Sequence, residues 1–137
     1  MKYSRFLGLG VALAMGLASG VALAGGDAAK GAKVFKVRCK SCHTIAEGAK
    51  NLTGPNLFGV AGREAGLVPK FKYSKSYGVA GKGGLVWTDE QIFAYLKDPK
   101  KFMRKVTGNK KAKSRMTFKL KKESQRQDVI AYLNTMK

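Results

Sequence analysis

One histidine and two cysteines are all this 137-residue chain has of either type, and eight acidic residues face 27 lysines and arginines. These scarcities exclude a good deal. A structural zinc centre needs four ligands, and two cysteines with one histidine, crowded into one turn, are too few. No stretch alternates strand with helix, so a thioredoxin-like dithiol lacks its usual βαβ setting. No apolar–polar alternation runs long enough for a sheet, and there is no internal repeat.

What is present is concentrated. Cys39-Lys40-Ser41-Cys42-His43 gathers both cysteines and the histidine into five residues. Cys-x-x-Cys-His is the spacing of c-type haem attachment. Two thiols three positions apart can each form a thioether with one vinyl group of the same haem. The histidine that follows can supply an axial nitrogen. A disulfide across so tight a loop would do little to stabilise the chain.

Residues 1–24 read as a secretory signal peptide. Lys2 and Arg5 give a positive n-region, residues 6–18 are uncharged and apolar or small, and Ala22-Leu23-Ala24 fits the cleavage pattern. Residues 6–24 are nearly long enough to span a bilayer, but Gly8, Gly10, Gly16, Ser19 and Gly20 dilute them. The expected mature chain, 25–137, is one exported, periplasmic domain. A chain this short has a modest core of its own, so folding is expected to depend on haem.

Without Lys2 and Arg5 that domain keeps 25 basic residues against 8 acidic ones, a net charge of +17. Such a charge concerns partners and encounter rates rather than fold. Nucleic acid is the default partner of so basic a cytosolic protein, but not of an exported one. Acidic faces of other redox proteins suit it better. Residues 97–122 hold twelve basic residues and one acid, Asp98. A charge run is usually just a solvated surface, yet clustering of one sign is what steers partners.

Asp27 can cap a first helix that runs into Cys39, with Gly31 marking a close approach of another backbone. Residues 44–84 read as loop, rich in glycine and carrying Pro55 and Pro69. Thr88 and Gln91 form a capping-box pair that opens a helix over 88–97. Pro99 stops it and can open a short helix of its own after Asp98. Residues 106–114 are polar and basic and read as loop. A last helix is expected over about 122–135, with Val129, Ile130, Tyr132 and Leu133 at helical spacing. It pairs with the first, placing Gly31 at the crossing and Phe35 against Val129, Tyr132 and Leu133.

With His43 the only histidine, the second axial position is open to methionine, lysine, an exogenous ligand or none. Met103 and Met136 read as core fillers. Met116, in the loop Ser114-Arg115-Met116-Thr117-Phe118, is better placed as a ligand. His/Met ligation raises the reduction potential and suits one-electron transfer.

These stretches, with Thr53-Gly54-Pro55-Asn56-Leu57-Phe58-Gly59, Gly62-Arg63 and Trp87, resemble a class I cytochrome c, most like the bacterial cytochrome c2 type. The resemblance covers nearly all of 25–137. It implies an all-α, single-domain fold packed around one covalent haem c, with crossed terminal helices. Pro55 would accept from the second ring nitrogen of His43. Arg63, Tyr73 and Trp87 would surround the haem propionates, and Tyr95 would lie near the Met116 sulfur. Two departures from the mitochondrial pattern stand out. The stretch between Phe102 and Met116 is longer and more basic, and Tyr77 stands where those proteins have a small polar residue.

The function implied is that of a soluble periplasmic one-electron carrier, not an enzyme. It would be a monomer meeting membranes only peripherally. It would shuttle between a quinol-oxidising, membrane-bound cytochrome complex and a photosynthetic reaction centre or terminal oxidase. The rival readings are a haem subunit or dedicated electron acceptor of a periplasmic dehydrogenase, and an open-site haem enzyme or sensor.

Overall fold

The computed structural model describes residues 25–137, so the expected export signal lies outside the described residues. Five helices follow in order: α1 (Ala28–Arg38), α2 (Lys75–Lys82), α3 (Asp89–Lys97), α4 (Pro99–Thr107) and α5 (Glu123–Asn134). Among the described residues the β-pairing is one isolated bridge, Glu64 with Val86. The fold is therefore all-α, as expected. No described helix is long and apolar enough to cross a membrane.

The α1 and α5 helices cross at Gly31. A Cβ there would come within 2.0 Å of the Asp128 carbonyl oxygen, so only glycine lets the two backbones approach this closely. Phe35 meets Tyr132 with ring centroids 5.7 Å apart. Val129 and Leu133 are buried beside them. Each such side chain contributes about 1.5–3 kcal/mol of burial, which stabilises helices too short to persist alone. At the start of α1, the Asp27 side chain accepts from the Lys30 amide, while the Asp27 amide donates to Asp128 Oδ1 at 2.9 Å.

The caps read from sequence close α3 and α4. Thr88 Oγ1 accepts from the Gln91 amide, and Asp98 Oδ1 accepts from the Lys101 amide at 3.0 Å, with Pro99 in the first turn. Two loop expectations need correction. Residues 44–84 contain α2, which Ser74 caps by accepting from the Tyr77 amide. Its two internal glycines lower helix propensity enough to hide it, and burial of Ala80 and half-burial of Tyr77 outweigh that cost. Helix α4 also runs through Thr107, two residues into the stretch read as loop, before Gly108 ends it in the left-handed conformation.

Candidate haem site

Between the helices lies a cavity of about 690 Å³, lined by residues of α1, α2, α3 and α5 and of the loops that join them. Cys39, Cys42, His43, Pro55, Arg63, Tyr73, Trp87, Tyr95 and Met116 all line it. Phe35, Leu57, Ile92, Leu96, Val129 and Leu133 supply its apolar surface. The cysteines are free thiols, and burial, with Cys42 alongside, pushes the Cys39 thiol up to about 11.

His43 is held from three directions. Its amide donates to the Cys39 carbonyl at 2.9 Å. Its Nδ1 lies 2.7 Å from the Pro55 carbonyl oxygen. A carbonyl can only accept, so Nδ1 carries the proton and Nε2 keeps a free lone pair. Its third support is Gly54, where a Cβ would come within 2.2 Å of His43 Cε1, so the ring lies flat against bare backbone. Burial lowers the His43 pKa, while the bond to Pro55 opposes the shift. The loop behind the ring is tied as well. Gly54 donates to the Cys42 carbonyl at 2.8 Å and Leu57 to the Thr44 carbonyl at 2.9 Å.

Aromatic side chains build another wall. Tyr77 stacks on Tyr73 at 5.3 Å and meets Tyr95 edge-on at 6.1 Å. Trp87 meets Tyr95 edge-on at 5.0 Å. Burial raises the pKa values of Tyr73, Tyr77 and Tyr95, so all three stay neutral phenols at neutral pH. Arg63 knits the loop together, donating from Nη1 to the Phe58 carbonyl at 2.9 Å and from Nη2 to the Asn56 carbonyl at 3.2 Å.

Met116 reaches the cavity on a segment without regular structure and is half-buried against the core. The Tyr95 hydroxyl lies 3.0 Å from Ser114 Oγ, two residues before it. Upstream, the Lys113 amide donates to Ser76 Oγ at 3.1 Å.

Haem fits these residues. At about 690 Å³, with largely apolar walls and a few convergent polar groups, the hollow has the size and lining of a cofactor pocket, about 300–1,000 Å³. The donors also match. There are two sulfurs, one free imidazole nitrogen and one thioether. Trp87, 8% exposed, gives the cavity a wall that is apolar apart from its indole N–H.

Sequence reasoning missed several residues that shape this site. Asn56 ties its own loop, donating to the Ala46 and Ala49 carbonyls at 2.9 and 2.8 Å and accepting from the Phe58 amide at 2.8 Å. An asparagine after proline in a turn-rich stretch could have signalled this. Gly54 and Ser114 also act here, while Tyr77, singled out from the sequence as a departure from the mitochondrial pattern, stands in the aromatic wall. Nothing in the sequence pairs Ser114 with Tyr95.

A family model described as cytochrome c matches residues 28–137. Cytochrome c2 of Rhodospirillum rubrum is 50% identical over 132 residues, covering 96% of this chain and 97% of that one. Cytochrome c2 iso-1 of Rhodospirillum centenum is 51% identical over 116 residues, covering 80% of this chain and 96% of that one. Among solved structures, cytochrome c2 from Rhodospirillum centenum matches with a TM-score of 0.77 at 48% identity, over 81% of this chain and 98% of that one. Ferric cytochrome c-550 from Paracoccus versutus matches with a TM-score of 0.75 at 38% identity, over 82% of this chain and 98% of that one.

Proposed function

The chain belongs to the cytochrome c family and is a carrier of electrons by covalent haem c, and from that premise we propose that it is a soluble periplasmic shuttle with His43 and Met116 as its axial ligands. The observation that carries this reading is the single cavity lined by both cysteines, the only histidine and Met116. Bound there, haem supplies a one-electron couple between ferrous and ferric iron. Cys39 and Cys42 each give a sulfur to a thioether. His43 gives Nε2, while Pro55 fixes the ring and makes the imidazole a better donor. Met116 gives its sulfur from the other ligand segment. Arg63, Tyr73 and Trp87 would serve the propionates, and Tyr95 holds the Met116 segment through Ser114. With His43 and Met116 both holding the iron, the chain would leave no place on it for a substrate, and the protein would act as a carrier rather than an enzyme.

Charge at the cavity fits a carrier. Arg38, Arg63, Lys70, Lys72 and Arg115 line it, and no carboxylate does. A rim of one sign speeds encounter with acidic redox partners, an effect screened over about 8–10 Å at ordinary ionic strength. The proposed donor is a quinol-oxidising cytochrome complex, and the acceptor is a reaction centre or terminal oxidase. Residues 1–24 would be the cleaved export signal. The Rhodospirillum rubrum match, at 132 residues, is longer than the 25–137 domain, so it takes in part of that stretch.

A redox titration followed by absorption spectra tests the reading. The expected result is one one-electron wave and a thioether–iron band in the ferric form. Rapid binding of carbon monoxide or cyanide by the native protein would instead favour an open-site enzyme or sensor.

A further inference from the structure

Arg126, on α5, is 2% exposed, and no carboxylate pairs with it among the described residues. Its Nη1 donates to the carbonyls of Leu120 and Lys121 at 2.8 and 2.6 Å. Its Nε has no partner among the described residues, and its guanidinium lies 4.3 Å from the Phe93 ring centroid. Burying a cation without a carboxylate is costly, and an apolar residue of similar volume would usually serve a core better. Carbonyl oxygens and the face of a ring offset part of that cost.

What the guanidinium holds gives it a role. The Leu120 amide donates to the Leu96 carbonyl at 2.8 Å. Lys119 pairs with Asp98 at 2.7 Å. The chain is therefore pinned at residues 119–121, and Arg126 closes the pin from the α5 side. Upstream it is pinned at Lys113, Ser114 and Arg115, whose Nη1 donates to the Lys72 carbonyl. Between these pins, Met116, Thr117 and Phe118 make no hydrogen bond among the described residues. A chain spans at most about 3.3–3.6 Å per residue, so slack at either pin moves the middle by ångströms.

We propose that Arg126 is a positioning residue for Met116. By clamping the 120 and 121 carbonyls it fixes the far end of the segment that delivers the sulfur. The proposal rests on the reading of Met116 as an axial ligand. An arginine that merely supports α5 would affect overall stability alone. A positioning arginine affects the sulfur bond first.

The test uses ferric holoprotein in three variants. Arg126→Met keeps volume but removes the donors, Arg126→Lys keeps charge but not the fork, and Ile130→Val is a core control on the same helix. The thioether–iron band and the helix signal are followed together against denaturant, and imidazole binding is measured in the folded range. In Arg126→Met the band should vanish at lower denaturant than the helix signal. Imidazole should also bind about tenfold more tightly, equal to about 1.4 kcal/mol of lost sulfur competition. Arg126→Lys should fall between, and Ile130→Val should lower both midpoints together with unchanged imidazole affinity. Band and helix signal moving in step in Arg126→Met, at wild-type imidazole affinity, would overturn the proposal. If Arg126→Met does not fold, Arg126→Lys decides, since tighter imidazole binding supports the proposal and wild-type affinity overturns it. A wild-type protein without the band would overturn the Met116 reading itself, and this proposal with it.

Discussion

Around His43 the chain is tied at almost every step, whereas around Met116 three successive residues make no hydrogen bond among the described residues. The His43 ring rests on Gly54 and is bonded to Pro55, and the loop behind it is closed by Asn56. Met116 instead hangs between pins at Arg115 and Lys119. The difference teaches how the two proposed ligand positions are secured. The imidazole is oriented by local structure. The proposed thioether ligand is held only by contacts on either side of it. The sulfur should therefore be the ligand that yields first, and the nitrogen the one that stays.

Four substitutions test that contrast. The largest effect is expected from Gly54→Ala, which drives a Cβ to 2.2 Å from a ring atom that cannot swing away without losing Pro55. It should destabilise the holoprotein by about 3 kcal/mol, the upper range for overpacking, as read by denaturant midpoints. Equal stability to wild type would show that the His43 side is not rigid. Next, Asn56→Ala removes three hydrogen bonds from the same loop and should cost about 2 kcal/mol, leaving the thioether band intact in folded protein. Loss of the band first would reverse the assignment of roles.

Met116→Leu keeps volume and apolarity, so it should change unfolding stability by less than about 1.5 kcal/mol beyond the lost sulfur bond. It should abolish the thioether band, lower the reduction potential and admit cyanide rapidly. A variant that kept the band would assign the ligand elsewhere. The smallest effect belongs to Asp98→Asn. The bond from Lys119, and after it the Lys101 amide, holds Asp98 below its ordinary 3.8. A depressed carboxylate stabilises fully above its unfolded value, and that stability is lost as pH falls through the folded value. Wild type should thus exceed Asp98→Asn by a constant margin between about pH 5 and 7, closing below about pH 3.8. Asparagine still caps a helix, so the margin reports the charge alone. A margin that persists in acid would remove Lys119 from the pin.

Much of this was legible in the sequence for identifiable reasons. The five-residue motif is local chemistry, and Thr88, Gln91, Asp98 and Pro99 are local backbone signals. The α1–α5 crossing was legible because Gly31 and the apolar spacing of α5 carry opposite halves of one contact. The α2 helix was not, because Gly78 and Gly81 weaken its local signal and its support comes from distant packing. Arg126 stands at helical spacing from Val129, Ile130 and Leu133, and nothing local in the sequence says what a cation on that face would bond to. Only the fold brings the 120 and 121 carbonyls and the Phe93 ring to it. Asn56 was visible as part of a pattern, but its three partners were not.

Amide hydrogen exchange on the ferric holoprotein tests the contrast most directly, because it reads local opening residue by residue. The amides of His43, Gly54 and Leu57 should be protected close to the global unfolding limit, while those of Met116, Thr117 and Phe118 should exchange through small local openings. Equal protection on the two sides, or earlier exchange at His43 than at Met116, would contradict it.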